Sequence, residues 1–333
     1  NASLEATGHG FKIIKEKEGV TVDYDKTVEQ LYTYVTEKWN KKANIKLTAT
    51  TTVSKPKYTT EDCEKVSNEP MGSYTTEFSV GSSYANRNLN IQNGAKLING
   101  AVVYPGEQYS CNENLYPWTE DNGWHPAGTY VDGGVQDSLG GGICQVSSTL
   151  YNALLRAEIK VVKRFPHSMA VGYVPLSADA ALAGDYKDLV FENDTDAPIY
   201  VQGIYNSGGS ITFNIYGHDT RKAGHSVKYE SKTVKTTPVK TQTKKDSSKP
   251  VGYSEVESSG HVGYVAELWK ITYENGKQVS KELIHTSTYA MSPTIVVKGT
   301  KKASTTTKKD DSDKDDKKSS EKTTKKSTSS KKS

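Results

Sequence analysis

Residues 139–152 read LGGGICQVSSTLYN, and this stretch decides the local fold of the middle of the chain. Beyond the glycines, apolar residues recur at steps of three and four, which predicts a helix over residues 145–157 with one buried face. Those apolar residues are Val146, Leu150, Ala153, Leu154 and Ala157. Cys144 therefore stands at or just before the first helical turn, two residues after the last of three glycines.

The position of Cys144 makes it a candidate nucleophile. The free N–H groups at a helix start and the positive end of the helix dipole stabilise a thiolate. Cysteines in such places have a pKa lowered from about 8.5 to roughly 3.5–7.5. The amides of Gly141, Gly142 and Cys144 are candidate donors to an oxyanion. The alternative is a small buried cysteine that only packs against the core, and the local sequence does not decide between the two.

His167, in RFPHSM, is the candidate base because it follows the strand-like KVVKRF. A strand that follows a helix can run back alongside it, which would bring His167 near Cys144. A cysteine with a distant histidine is the usual arrangement of thiol acyl-transfer enzymes. His125 is a second candidate base, ranked lower because it lies in a turn-rich loop.

Further polar residues complete the predicted site. Asp179, in PLSADAAL, is favoured as the group that orients the imidazole. The other acidic candidates are Asp132, Asp185 and Asp188. Arg87 is suited to clamp a substrate carboxylate, although a surface ion pair is the simpler role. Ser147 is a candidate substrate-binding residue and also fits as an ordinary residue of the first helical turn.

The chain has three cysteines, Cys63, Cys111 and Cys144, which cannot all pair within one chain. Their spacing matches no zinc-binding pattern, and we predict no metal and no cofactor. An unpaired thiol in a secreted chain is a candidate nucleophile. A disulfide between Cys111 and Cys144 would abolish the chemistry proposed for Cys144.

The net charge of +4 over 333 residues is located at the C-terminal end. Residues 300–333 carry 12 Lys against 5 Asp and 1 Glu, so the rest of the chain is slightly acidic and has no nucleic-acid footprint. This tail has nothing to bury and is predicted to be disordered, either lying against anionic wall polymers or serving as a solvated spacer. No apolar run approaches the roughly 18–20 residues that cross a bilayer, and we expect a targeting or anchoring segment to be missing from the N-terminus.

Residues 11–70 are predicted to form an α/β unit. FKIIKEKEGVTVDYD alternates like a hairpin that turns at Glu18-Gly19. Asp25 is the predicted N-cap of a helix whose apolar face includes Val28 and Leu31. A strand, IKLTATTTV, follows, and then a short helix that carries Cys63.

Residues 74–218 and 219–299 show different patterns. The first region contains the helices described above and ends in DLVFEN, APIYVQGIY and GSITFNIYG, which predict a β-meander. The second region alternates as strands with little helical signal, and Asn275-Gly276 is a strong hairpin turn.

Several long motifs in residues 74–218 closely resemble the VanW domain. They are ANRNLNIQNGAKLINGAVVYPGEQYSCNE, GGGICQVSSTLYNALLRA, RFPHSMAVGYVP and NDTDAPIYV. The resemblance implies a peptidoglycan L,D-transpeptidase that forms 3–3 cross-links through a cysteine, with the nucleophile at Cys144 and the base at His167. Many relatives have Phe where YSCN has Cys111, which argues against a catalytic role for Cys111.

The flanking regions also resemble known modules. Residues 1–73 resemble part of the peptidoglycan-binding module that often precedes VanW. Residues 219–299 resemble a G5 domain of wall-associated proteins. The five glycines expected of that domain are Gly252, Gly260, Gly263, Gly276 and Gly299. The predicted fold class is α+β and multidomain: an N-terminal α/β module, a central α+β catalytic domain, a β-rich module and a disordered tail.

These expectations together predict an extracellular, wall-associated L,D-transpeptidase. Its substrates would be a donor tetrapeptide stem and an acceptor amine from a neighbouring stem. It would reach a membrane only through the missing anchor. Two alternatives remain: a non-catalytic protein that binds peptidoglycan, and a cysteine peptidase that uses the same residues with water as acceptor.

Overall fold

The computed structural model describes residues 1–7, 10–41, 46–131 and 134–302. Within them there are five α-helices: α1 Tyr24–Thr33, α2 Thr60–Glu64, α3 Ala85–Ile98, α4 Cys111–Leu115 and α5 Ile143–Arg156. The strands before α3 are β1 Ser3–Thr7, β2 Gly10–Ile14, β3 Gly19–Val22, β4 Thr51–Ser54 and β5 Gly72–Glu77. The central strands are β6 Ala101–Val103, β7 Gln108–Ser110, β8 Pro126–Val131, β9 Gly134–Leu139, β10 Lys160–Lys163, β11 Val190–Glu192, β12 Ile199–Asn206 and β13 Ser210–Tyr216. The C-terminal strands are β14 His225–Thr237, β15 Thr241–Pro250, β16 Ser254–Ser258, β17 Gly263–Glu274, β18 Lys277–Tyr289 and β19 Thr294–Lys301.

Helix α5 is the centre of the main hydrophobic core. It packs with α3 against a four-stranded sheet of order β5-β13-β12-β6. The helix is buried around almost its whole circumference, and not on one face as its apolar spacing predicts. Its buried polar residues make this possible because each has a partner: the Asn152 amide, for example, donates to the Ala178 carbonyl at 2.7 Å.

The predicted three-stranded meander is wrong in one strand. β12 and β13 pair with each other, but β11 pairs with β10 and β7 in a second sheet. Asn193, which follows β11, is fully buried and donates to the carbonyls of Val103 and Ala197. These bonds fix the segment after β11 so that it passes from one sheet to the other and does not form the predicted hairpin turn.

The predicted hairpin at Glu18-Gly19 is also wrong. β2 pairs with β1, whereas β3 pairs with β4 about thirty residues further along the chain. Alternation fixes which side chains share a face but not which strand is the partner. The N-cap of α1 is Asp23, whose carboxylate accepts from the Lys26 amide, and not Asp25. The predicted apolar face of α1 is half exposed, with Val28 at 46% and Leu31 at 47%.

The short helix predicted around Cys63 is confirmed. Thr59 and Asp62 form a reciprocal capping box at the start of α2, and Cys63 is buried.

The C-terminal region consists of two three-stranded sheets, β14-β17-β18 and β15-β19-β16. The predicted hairpin turn is confirmed: Asn275 and Gly276 join β17 to β18 with φ of 49° and 75°. These positive values are typical of a type I′ turn. At Gly299 a Cβ would lie 2.0 Å from the carbonyl oxygen of Pro250, so only glycine fits there. The disordered tail predicted over residues 300–333 is wrong at its start, because strand β19 continues to Lys301. The rest of that tail, from residue 303 onward, lies outside the described residues.

The sheet β14-β17-β18 is docked directly on the central core. Leu268 of β17 is 1% exposed and belongs to the same buried cluster as the apolar residues of α5. On β14, the Tyr229 hydroxyl donates to the Leu155 carbonyl at 2.7 Å.

Among the described residues, no helix has the length and apolar character to span a bilayer.

Candidate active site

Cys144 is the second residue of α5, at the end of the helix that carries the unpaired backbone N–H groups. Gly142 is the N-cap and has φ of +109°, a left-handed conformation that favours glycine. The Cys144 side chain is half-buried, and its sulfur accepts a hydrogen bond from the Leu182 N–H at 3.4 Å. The thiol therefore lies in a field that favours its ionised form.

The chain returns along β10 and brings His167 to Cys144. The imidazole is close enough to the sulfur to act on its pKa through charge and hydrogen bonding. On the other side of the ring, Asp179 Oδ2 accepts from His167 Nδ1 at 2.6 Å and from the His167 backbone N–H at 2.7 Å. With Nδ1 engaged by Asp179, Nε2 is the nitrogen left for the sulfur. The structure thus brings together the predicted Cys144, His167 and Asp179.

The pKa shifts of these three groups favour an ion pair. Burial raises the pKa of Cys144, but the hydrogen bond and charge of His167 outweigh it, and the net pKa is below its ordinary value. Burial lowers the pKa of His167, but Asp179 and the Cys144 thiolate together raise it to about 9. Burial also opposes ionisation of Asp179, yet His167 and Arg164 hold its pKa well below the usual range. These directions all favour the thiolate, imidazolium and carboxylate forms of the three groups over their neutral forms.

The second oxygen of Asp179 has its own partners. Oδ1 lies 2.7 Å from Arg164 Nη2 and accepts a hydrogen bond from the Tyr289 hydroxyl at 2.5 Å. Neither Arg164 nor Tyr289 is among the candidate site residues predicted from the sequence. Arg164 lies only three residues before His167, so its position in the same segment was an available signal. Tyr289 is 110 residues from Asp179 in the chain, and no local pattern pointed to it.

Tyr173 is a further site residue that the sequence analysis missed. Its hydroxyl lies 3.4 Å from His167 Nε2, on the side of the ring away from Asp179. Burial and the charge of Cys144 raise the Tyr173 pKa, against a hydrogen bond from Ser148 and the charge of Arg87. Tyr173 therefore stays protonated and offers a hydrogen-bond donor beside the sulfur.

The glycines before Cys144 hold the β8–β9 hairpin against α5. A Cβ on Gly141 would lie 2.4 Å from the Ala127 carbonyl oxygen, and the Gly141 N–H donates to the Ser138 carbonyl at 3.4 Å. The Asn90 amide donates to the Gly141 carbonyl at 2.9 Å. Gly141 thus has structural contacts, which leaves the amides of Gly142 and Cys144 as the better oxyanion candidates.

The two predicted substrate-binding side chains, Arg87 and Ser147, have different partners near the start of α5. Arg87 is half-buried, donates to the Gln145 side chain at 2.7 Å, and is near enough to Tyr173 for its charge to act there. Ser147 is fully buried and its hydroxyl donates to the Ala180 carbonyl at 2.7 Å. This bond anchors the segment that carries Asp179, so we assign Ser147 a structural role and not contact with substrate.

The remaining candidates lie elsewhere. Asp188 accepts from the Ser110 hydroxyl and the Asn112 N–H, next to α4. The backbone carbonyl of His125 accepts from the Gly140 N–H and the Asn90 side chain. Among the described residues, the hydrogen-bond partners of His167 are Asp179, Tyr173 and Cys144 and do not include Asp185, and Asp132 lies outside the described residues.

All three cysteines are unpaired, so the structure contains no disulfide between Cys111 and Cys144. Cys63 and Cys111 are fully buried, and burial raises the pKa of both thiols. Cys144 is the one thiol of the three with a lowered pKa. In the described part of the chain, no group of three or more His, Cys, Asp or Glu side chains is arranged to hold a metal ion.

Comparison with known families and proteins gives matches for two consecutive parts of the chain. Residues 86–216 match the family described as VanW like protein, and residues 228–301 match the G5 domain. The uncharacterized protein YoaR of Bacillus subtilis (strain 168) is 37% identical over 164 residues, 49% of this chain and 53% of that protein. The Vancomycin B-type resistance protein VanW of Enterococcus faecalis (strain ATCC 700802 / V583) is 28% identical over 116 residues, 33% of this chain and 42% of that protein. The chain thus spans about half the length of the curated relatives it matches.

Two solved structures of G5 domains are also similar in sequence. The IgA1 protease G5 domain is 30% identical and covers 25% of this chain and 96% of its own, with a TM-score of 0.19. The HP0197 G5 domain is 23% identical and covers 22% of this chain and 97% of its own, with a TM-score of 0.16.

Proposed function

Because the chain carries a VanW-like domain at residues 86–216 followed by a G5 domain at residues 228–301, we propose that it is a cysteine acyltransferase of the bacterial cell wall. The reaction we propose is L,D-transpeptidation, which joins two peptidoglycan stems by a 3–3 cross-link. The observation that carries the proposal is the Cys144–His167–Asp179 arrangement at the start of α5. A nucleophile, a base and a group that orients the base are the elements of thiol acyl transfer.

In the first half-reaction, the Cys144 thiolate attacks the carbonyl carbon of the third residue of a tetrapeptide stem. A carbon–sulfur bond forms, and the oxyanion is stabilised by the amides of Gly142 and Cys144 and by the Tyr173 hydroxyl. The bond to the terminal D-Ala breaks when the His167 imidazolium gives its proton to the leaving amine. The products are a thioester on Cys144, free D-Ala and a neutral His167.

In the second half-reaction, an amine of a neighbouring stem attacks the thioester. Neutral His167 accepts the proton of that amine, the new amide bond forms, and the carbon–sulfur bond breaks. This step restores the thiolate and the imidazolium, so Cys144 and His167 are ready for another cycle. Asp179 stays ionised throughout and stabilises the imidazolium each time it forms.

The choice of a wall substrate rests on relatives and on resemblance. The similar protein from Enterococcus faecalis is named as a vancomycin resistance protein, which makes the cell wall the natural setting. G5 domains are associated with the wall, so the C-terminal region is proposed to add contact with peptidoglycan or with anionic wall polymers. The stem peptides as partners, an extracellular location and the module predicted in residues 1–73 remain parts of this proposal.

The test is to incubate the purified chain with tetrapeptide-containing muropeptides and identify the products by mass spectrometry. Cross-linked dimers that lack one D-Ala are the expected product, and Cys144→Ala should yield none. Cys63→Ala is the matched control, because Cys63 is a buried thiol in a separate cluster and should leave dimer formation intact. Dimers made by Cys144→Ala would refute the mechanism.

The same assay separates the proposed reaction from its alternatives. Hydrolysed tripeptide stems without dimers would identify a peptidase. Unchanged muropeptides that bind the chain would identify a wall-binding protein.

A further inference from the structure

The G5 domain contributes a side chain to the catalytic cluster. Tyr289, the last residue of β18, is 2% exposed and lies inside the G5 match. Its hydroxyl donates to Asp179 Oδ1 at 2.5 Å and accepts from the Ser177 N–H at 2.6 Å. Both partners belong to the segment that supplies the carboxylate, so Tyr289 holds Asp179 from the side opposite His167.

A second link from the same strand runs through Arg164. Nη2 of Arg164 binds Asp179 Oδ1, and Nη1 donates to the Ser287 hydroxyl at 2.8 Å. Ser287 is 1% exposed, and its hydroxyl also lies 2.8 Å from that of Ser177. The guanidinium is thereby fixed at one end by the G5 domain and at the other by the carboxylate.

His285 provides the third contact from β18. Its Nε2 lies 2.8 Å from the Tyr151 hydroxyl, and its Nδ1 lies 3.1 Å from the Ser177 hydroxyl. Burial, followed by the charge of Arg164, lowers its pKa to about 4, so it is neutral near pH 7 and adds no competing charge. Residues 285, 287 and 289 alternate along the strand and therefore present one continuous polar face to the VanW-like domain.

We propose that this face of the G5 domain is part of the catalytic centre and that Tyr289 is a positioning residue for Asp179. The proposal rests on the proposed function, in which Asp179 orients His167. Within the described residues, the Asp179 carboxylate has four donors from three residues: Tyr289 and Arg164 on Oδ1, and His167 twice on Oδ2. A carboxylate held on both oxygens cannot turn, and Oδ2 stays directed at the imidazole.

Removal of the Tyr289 hydroxyl should weaken this arrangement in a defined direction. With one donor fewer on Oδ1, the carboxylate is free to turn toward Arg164 and give His167 a poorer acceptor. The imidazolium is then less stable, and the Cys144 thiolate that it supports is less stable as well. The thiolate should therefore form at higher pH.

The experiment measures the rate of Cys144 alkylation by iodoacetamide as a function of pH in Tyr289→Phe. We expect the acid limb of the profile to move up by about one pH unit, since loss of one hydrogen bond to a charged group has an effect of about that size. In the muropeptide assay, kcat should fall about tenfold with little change in KM. Tyr273→Phe, the same change on the neighbouring strand β17, should leave the profile unmoved.

The outcome is decisive even if Tyr289→Phe fails to fold. Ser287→Ala removes the outer contact of Arg164 and the contact with the Ser177 hydroxyl but leaves every donor of Asp179 in place, so it should shift the limb in the same direction by a smaller amount. The proposal would be overturned if Tyr289→Phe folds and its alkylation profile overlays that of the parent chain. If Tyr289→Phe does not fold, the same result for a folded Ser287→Ala would overturn it. Alkylation of Cys144 requires no acyl acceptor, so it tests the role of Tyr289 separately from the proposed reaction. If the parent chain makes no cross-links but Tyr289→Phe still shifts the alkylation profile, the transpeptidase function is disproved and the positioning role stands.

Discussion

Asp179 binds His167 at two points with a single oxygen: Oδ2 accepts from the backbone N–H at 2.7 Å and from Nδ1 at 2.6 Å. The backbone bond fixes where residue 167 lies, and the ring bond fixes how its imidazole is turned. Because both bonds end on one atom of a side chain that is 1% exposed, a displacement of Asp179 moves the whole base. The geometry of the sulfur–imidazole pair thus depends on the anchoring of one carboxylate.

Asp179→Asn should lower both catalysis and stability. The amide has one acceptor oxygen and no charge, so kcat should fall by about 10²–10⁴-fold as the imidazolium loses its counter-charge. The free energy of unfolding should fall by about 3–5 kcal/mol, because Arg164 would be left buried without its carboxylate. Activity and urea unfolding measure the two effects.

Asp188→Asn is the matched control for this substitution. Its carboxylate accepts from the Asn112 N–H at the start of α4, away from the sulfur, so we expect a loss of about 1 kcal/mol. Its kcat should be that of the parent chain. Equal activity losses in the two variants would contradict a specific role for Asp179.

The proximity of Cys144 and His167 is predictable from the sequence, because the signals that place these two residues are local. Glycines before a helical period place Cys144 at a helix start, and a strand that leads back from that helix carries His167. Asp179 is one of four acidic candidates in the sequence, and a carboxylate has no local pattern of its own that would distinguish it from the others. Tyr289 could not be predicted, because its role depends on how the sheet that contains β18, a strand over a hundred residues after α5, docks on the central core.

The errors in the fold have the same origin. Alternation identified most strands, and Asn275-Gly276 fixed one hairpin because its two positive φ angles are a property of the turn itself. The partner of β11 depends instead on Asn193, whose side chain satisfies carbonyls far apart in sequence. Such long-range hydrogen bonds from a side chain can stabilise a connection other than a hairpin turn. They cannot be predicted from the periodicity of apolar residues.

One thiol of three should react rapidly in the native protein. Cys144 has a lowered pKa and partial exposure, whereas Cys63 and Cys111 are fully buried with raised pKa values. Mass spectrometry after brief iodoacetamide treatment near pH 7 should find a single alkyl group on Cys144, and three groups after denaturation. Rapid modification of Cys111 in the folded chain would show that the packing around β7 and α4 differs from that described.

The pH dependence should differ between thiol reactivity and turnover. Alkylation should rise as pH passes the lowered Cys144 pKa and then stay high, because the thiolate persists in base. Turnover should fall again as pH rises through about 9, where His167 loses the proton that the leaving amine requires. The two profiles, measured on the same preparation, should therefore part above about pH 9. Parallel profiles would show that His167 is not the proton donor.

Gly141→Ala should disrupt the approach of the β8–β9 hairpin to α5. The new Cβ would lie 2.4 Å from the Ala127 carbonyl oxygen, which is backbone and cannot swing away. We expect a loss of about 1–3 kcal/mol in the free energy of unfolding. Gly172→Ala is the control, since no heavy atom lies within 4 Å of its added carbon, and it should change stability by less than about 1 kcal/mol. Similar losses in both variants would mean that the close contact at Gly141 is unimportant.

Leu268→Ala should destabilise the VanW-like domain although the residue belongs to the G5 match. Leu268 is 1% exposed and packs in one cluster with the apolar residues of α5, so its truncation should cost about 2–5 kcal/mol. Leu283, on the next strand of the same sheet, is 46% exposed, so Leu283→Ala should change the free energy of unfolding little.

Calorimetry of the parent chain should show α5 and the sheet β14-β17-β18 melting in one transition, and Leu268→Ala should lower the temperature of that whole transition. If hydrogen exchange in α5 were unchanged by Leu268→Ala while the sheet alone became labile, the two domains would be energetically separate. A separate G5 domain could not hold Asp179 in place through Tyr289 once the sheet began to open.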